Sequence, residues 1–142
     1  MSTAPRTRFF HLANGTATTD LIARAAIPGD TSIWADPLHN GPVPGTLDES
    51  ALRAVRARYI SEMALDVSYD DVHAALVSSE AAIPRSAACD ELVLWFEHDL
   101  FDQLNLVHLL DRVQSFPEKA PIVSLICIGA FPAGPTSRGS GN

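Results

Sequence analysis

Two short segments limit the fold of this chain more than anything else in it. Residues 91–96 (ELVLWF) and 121–128 (PIVSLICI) are apolar almost without interruption. Neither alternates polar with apolar, so both read as strands covered on two faces, as in a parallel sheet. Parallel strands need long crossovers, and the segments between them carry helix signals. Thr46 and Glu49 match a capping box ahead of Leu52, Val55, Tyr59 and Met63, one apolar stripe at helical spacing. Ser68 and Asp71 repeat the signal before a helix over about 69–82, expected to stop ahead of Pro84. Asp99 opens a further helix, with Leu100, Leu104, Val107 and Leu110 or Asp111 as its expected inner stripe. Upstream, residues 8–12 (RFFHL) and 31–35 (TSIWA) predict two strands around a helix over 20–26. The order β-α-β-α-α-β-α-β predicts a three-layer, Rossmann-like α/β fold: a mostly parallel four-stranded sheet with right-handed crossovers.

With 142 residues, the chain is expected to form a single domain over 8–130, followed by a disordered Gly/Pro/Ser-rich tail over 131–142. Seventeen acidic residues against ten basic ones leave a net charge of −7, a field that repels phosphate backbones and speaks against nucleic acid as a partner. The longest apolar run, 121–131, falls short of the ~18 residues of a membrane helix, and no signal-peptide core follows Arg6 and Arg8. Cys89 and Cys127 share no ligand or redox spacing, which fits a reducing, cytoplasmic setting, and Cys127 reads as a buried structural thiol.

In open α/β sheets ligands sit beyond the carboxyl ends of the strands. Those ends are expected at Asn14-Gly15-Thr16, Asp36 to Gly41, Glu97-His98-Asp99 and Gly129-Ala130, where most of the conspicuous polar chemistry lies. Asp36, Glu97 and Asp99 could form the oxygen-rich cluster that Mg²⁺ prefers. Asp99 equally suits a helix N-cap, and Asp36-Pro37 a turn. His39, in the stiff loop LHNGPVPG, and His98 are candidates for proton transfer beside Glu97. Asn14, Gly15 and Thr16 form a strand-to-helix turn able to hold an anion, although GxGxxG and a Walker lysine are absent and the sole lysine is Lys119. Arg53 and Arg56, a turn apart, suit either a phosphate clamp or a solvated helix face. His11 and His108 read as packing residues, and His73 as surface. There is no GxSxG elbow and no Cys/His pair.

The stretch Trp34-Ala35-Asp36-Pro37-Leu38-His39-Asn40-Gly41-Pro42-Val43-Pro44 resembles a W-x-D-x-L-H-x-G-P-V-P motif. Residues 94–104 (LWFEHDLFDQL) resemble L-W-F-E-H-D-L-x-D-Q-L, and His11 to Gly15 and Ser124 to Gly129 fit the same pattern. These motifs are similar to those of the bacterial family named domain of unknown function 1835, over about residues 8–132. The resemblance implies membership and brings no reaction with it. Thr16, Asn40 and Ala130 stand where that family tends to be acidic, and PAGPTSRGSGN stands in place of its usual helical extension. A metal site here would therefore have fewer oxygen ligands.

Three functions compete on these residues. One is a metal-assisted enzyme acting on a phosphorylated or nucleotide-like small molecule, with Mg²⁺ held by Asp36, Glu97 and Asp99. Another is a non-catalytic module that uses the same cleft for a small molecule or protein. The last is a shortened remnant whose motif residues serve only the fold. Oligomeric state is not readable.

Overall fold

A computed structural model describes residues 3–116 and 120–127. Strands β1 (Phe9–Ala13), β2 (Asp30–Ile33), β3 (Glu91–Trp95) and β4 (Ile122–Ile126) form one sheet in the order β2-β1-β3-β4, all parallel. Helices α1 (Thr16–Arg24), α2 (Glu49–Met63), α3 (Tyr69–Ala87) and α4 (Leu100–Val113) connect them. The expected α/β class and element order are those of the structure. Lys119, Gly129, Ala130 and the tail over 131–142 lie outside the described residues. No helix among the described residues is long and apolar enough to cross a membrane.

Paired residues of parallel strands share a face, so the register sorts the sheet. Phe10 and Leu12 lie level with Leu92 and Leu94, and together with Trp34 and Phe96 they meet Ala82 and Ile83 of α3 and Leu106 and Leu109 of α4. This is the main core. The opposite face carries His11, Ala13, Val93, Trp95 and Ile126, and among the described residues α1 is the helix that packs there, with Ile22 buried. His11 is buried as a packing residue: Trp95 Nε1 donates to its Nδ1 at 3.1 Å, and its Nε2 lies 3.0 Å from the Pro28 carbonyl.

Several local expectations change. Helix α3 does not stop before Pro84 but continues to Ala87, because Ala82, Ile83 and Ser86 are buried and their packing outweighs one missing helical donor. The inner face of α4 is Asp102, Asn105, Leu106 and Leu109, whereas Leu100, Val107 and Leu110 point outward. Helix α2 buries Arg56 and Ala57, and Met63 at the foot of its expected stripe is exposed. Of the two apolar runs, β3 is covered on both faces. Strand β4 lies at the sheet edge with Ile122, Val123 and Leu125 exposed, and Cys127 beyond it is an exposed free thiol, not a buried one.

Candidate functional site

From β1 the chain turns through α1 on one face of the sheet, and from β2 it returns through α2 and α3 on the other to reach β3. The carboxyl ends of β1 and β3 are therefore where the chain parts to opposite faces, the switch point at which open α/β sheets form a crevice.

Helix α4 ties these ends together. Asp99 caps it, its carboxylate accepting from the Asp102 amide at 2.9 Å. Asp102, fully buried, accepts on one oxygen from Asn14 Nδ2 at 2.8 Å and from the Glu97 amide. Asn105, also fully buried, holds the backbone of Asp36 from both sides: it accepts from the amide at 3.0 Å and donates to the carbonyl at 2.7 Å. Asn14 Oδ1 in turn accepts from Thr18 at 2.7 Å. A single helix so fixes the ends of β1, β2 and β3.

The loop after β2 is organised by Arg56. With 1% of its surface exposed, its guanidinium donates to both Asp36 oxygens at 2.6–3.1 Å and to the carbonyls of Pro37, Asn40 and Pro42 at 2.7–3.2 Å. No donor is left for a phosphate, and Asp36 is committed to its cation. Arg56 as clamp and Asp36 as metal ligand are both corrected: the pair is a buried brace. Gly41, expected as a ligand contact, is also required by the turn of this loop. Its φ of +79° suits glycine, and a Cβ there would come 2.5 Å from the Tyr59 ring.

The proposed Mg²⁺ trio does not assemble. Among the described residues no three His, Cys, Asp or Glu side chains converge as a metal site. Asp36 is neutralised by Arg56 and Asp99 is engaged in capping, which leaves Glu97 as the one uncommitted acid of the three. The residues do not fit that ion. His98 and His39 are exposed, the latter edge-on to Phe101 with ring centroids 6.0 Å apart, so neither is held against Glu97.

Beside α1 lies a recess of about 310 Å³. Leu21, Ile22 and Ile27 form one wall, Trp95 and Ile126 form the other, and Asn14, Thr18 and Glu97 supply the polar rim. Asn14 and Glu97 are thus brought to one opening as expected, together with Thr18, which the sequence reading passed over. Helix α1 begins at Thr16, with Gly15 at its N-cap position, between the rim residues Asn14 and Thr18. It has no side-chain cap and no acidic residue, whereas Asp48, Ser68 and Asp99 cap α2, α3 and α4. Among the described residues no side chain caps its amide donors at the positive end of its dipole.

A second, smaller cavity of about 40 Å³ lies under α2, α3 and α4, lined in part by Trp34, Arg53, Glu80, Asn105 and His108. Arg53 reaches it with a buried Nε that has no partner among the described residues, and is a cavity-wall residue rather than a surface clamp. Glu80 accepts from Arg112 at 2.6 Å, yet burial raises its carboxyl above the usual range despite the opposing attraction of Arg53. Burial likewise lowers the His108 imidazole, against the pull of Asp36 and Asp111. The space suits water rather than a metabolite.

Asp102 and Asn105 carry no mark in the sequence, because the partners that hold them lie 88 and 69 residues away. No family model matches the chain, and no curated protein or solved structure shows significant similarity to it.

Proposed function

We propose that this chain is a small-molecule-binding α/β domain that takes a phosphorylated or nucleotide-like ligand at the β1/β3 switch point. The apolar or ring portion of the ligand would lie in the recess against Trp95 and Leu21, and the anionic portion on the first turn of α1 at Gly15 and Thr16. The observation that carries this reading is the recess itself: about 310 Å³, largely apolar, with a few polar groups at its rim, opening where such folds bind ligands. The uncapped α1 end supports the anionic half of the assignment.

Binding without turnover is the expected outcome, because of the acids a Mg²⁺-assisted reaction would use only Glu97 is uncommitted. The W-x-D and L-W-F-E-H-D motifs support membership of the domain of unknown function 1835 family, and the low cysteine content supports a cytoplasmic setting. The charge of −7 speaks against nucleic acid.

The test is calorimetry and thermal shift with a panel of nucleoside mono- and diphosphates and with pyrophosphate. A ligand at a hundred times its Kd stabilises the fold by about 2.7 kcal/mol. Ala25→Phe, which fills the recess, and Gly15→Asp, which sets a carboxylate on the α1 terminus, should each abolish that stabilisation. Binding that survives both substitutions, or no binding by any member of the panel, would overturn the assignment.

A further inference from the structure

Of Asp36, Glu97, Asp99 and Asp102, only Glu97 has a fixed position and no structural task. Helix α4 holds its backbone from both sides: its amide donates to the Asp102 carboxylate, and its carbonyl accepts from Gln103 Nε2 at 2.8 Å. Its side chain is half-buried in the wall of the recess, and among the described residues none donates to its carboxylate. The other three acids are taken up by Arg56, by the α4 cap and by the Asn14 and Glu97 donors. Glu97 is thus held still beside an apolar wall with its acceptors unused.

The rest of the rim is short of donors. The one hydroxyl hydrogen of Thr18 goes to Asn14 Oδ1 at 2.7 Å, and Asn14 Nδ2 donates to Asp102 at 2.8 Å. Left over are both Glu97 oxygens, the Thr18 lone pairs and the second Asn14 hydrogen, so acceptors predominate. Asn14 stands just before the α1 N-cap and shares one Asp102 oxygen with the Glu97 amide, which sets these acceptors beside the amide donors of the first turn. The apolar wall begins further along α1. At a rise of about 1.5 Å per residue, Leu21 stands about 7.5 Å beyond Thr16 and Ala25 about 13.5 Å. The site therefore offers, in order, amide donors, oxygen acceptors and an apolar wall.

We propose that Glu97 reads the sugar of the ligand, accepting hydrogen bonds from the vicinal 2′- and 3′-hydroxyls of a ribose, so that the site prefers ribonucleotides to 2′-deoxyribonucleotides. The assignment rests on the nucleotide reading above and narrows it to one ligand class. A 5′-nucleotide presents its groups in the matching order: phosphate, diol, ring. A carboxylate can meet two neighbouring hydroxyls with one oxygen each, and bonds to a charged acceptor are the strong ones. A neutral diol also meets Glu97 without repulsion, whereas a phosphate carried at the 2′ position does not. No arginine or lysine among the described residues lines the recess to offset that repulsion.

The test is calorimetry of the full chain with 5′-AMP and 5′-GMP, each against its 2′-deoxy form. The ribonucleotide should bind the parent about tenfold or more tightly than its deoxy partner. Glu97→Ala should bring the two forms to within about twofold of each other, with circular dichroism unchanged because no described residue leans on that side chain. Adenosine 2′,5′-bisphosphate should bind the parent more weakly than 5′-AMP and recover in Glu97→Gln, which keeps the shape and removes the charge. Ribose and deoxyribose forms that bind the parent equally, a comparison that needs no variant, would overturn the sugar assignment and leave the nucleotide reading standing. So would a ribose preference that survives Glu97→Ala. Failure of all these nucleotides to bind would remove both readings together.

Discussion

At the scale of single residues, the strongest dependence of the fold is on Arg56. Replacing it with Met leaves the Asp36 carboxylate buried without a counter-ion, and the loss of stability is expected at about 3–5 kcal/mol in urea titration. Arg56→Lys should fail almost as badly, because an ammonium cannot reach both carboxylate oxygens and three carbonyls at once. Adding Asp36→Asn to Arg56→Met should recover part of the loss. His108 provides a pH test. Its folded-state imidazole is held below the ordinary 6.5 by burial, so the unfolded chain takes up the proton first. Its contribution to stability is present above 6.5 and is lost as pH falls from there towards the lowered folded value. Thermal melts between pH 7.5 and 5 should show a shallower decline for His108→Gln than for the parent. What could be read in advance at this scale was local. Ser68 and Asp99 announce themselves as caps because their partners lie three residues on. Asp102 and Asn105 do not, because their partners lie 88 and 69 residues away and only the folded sheet brings them near.

Among the elements, the four helices divide by how they begin. Asp99→Ala removes the cap of α4, expected to cost about 1 kcal/mol by urea titration. Gly15→Asp at the start of α1 should do the reverse and raise stability by about 0.5 kcal/mol, since a Cβ there meets nothing within 4 Å and its carboxylate would face free amides. The same substitution is expected to abolish ligand binding, so a gain in stability coupled to a loss of affinity would mark the α1 terminus as kept open for function. The misread stripe of α4 has a plain cause. Leucine or valine occurs on almost every side of LFDQLNLVHLLDRV, so periodicity alone cannot choose its inner face. The choice falls to the polar residues, since burial of Asp102 and Asn105 is compensated only where strand ends offer them partners.

For the molecule as a whole, the alternation of elements and the two apolar runs made the layered parallel sheet legible, while the order β2-β1-β3-β4 was not, because a right-handed crossover can carry the chain to either side of β1. The candidate site shared that fate. Its location at strand ends followed from the fold class, but its contents depended on which acids were already paired. The central position of β1 also has a meaning for how the protein is made. Of the four strands this one is made first, yet its inner neighbour β3 begins 82 residues after the start of β1, at Glu91, and the helix that clasps both comes later still. Only one flank of β1 can be matched until β3 has been translated, so the nascent chain must shelter Phe10 and Leu12 while the intervening residues are made. Assembly of this domain is in that sense a late, nearly simultaneous event rather than a stepwise one from the N-terminus.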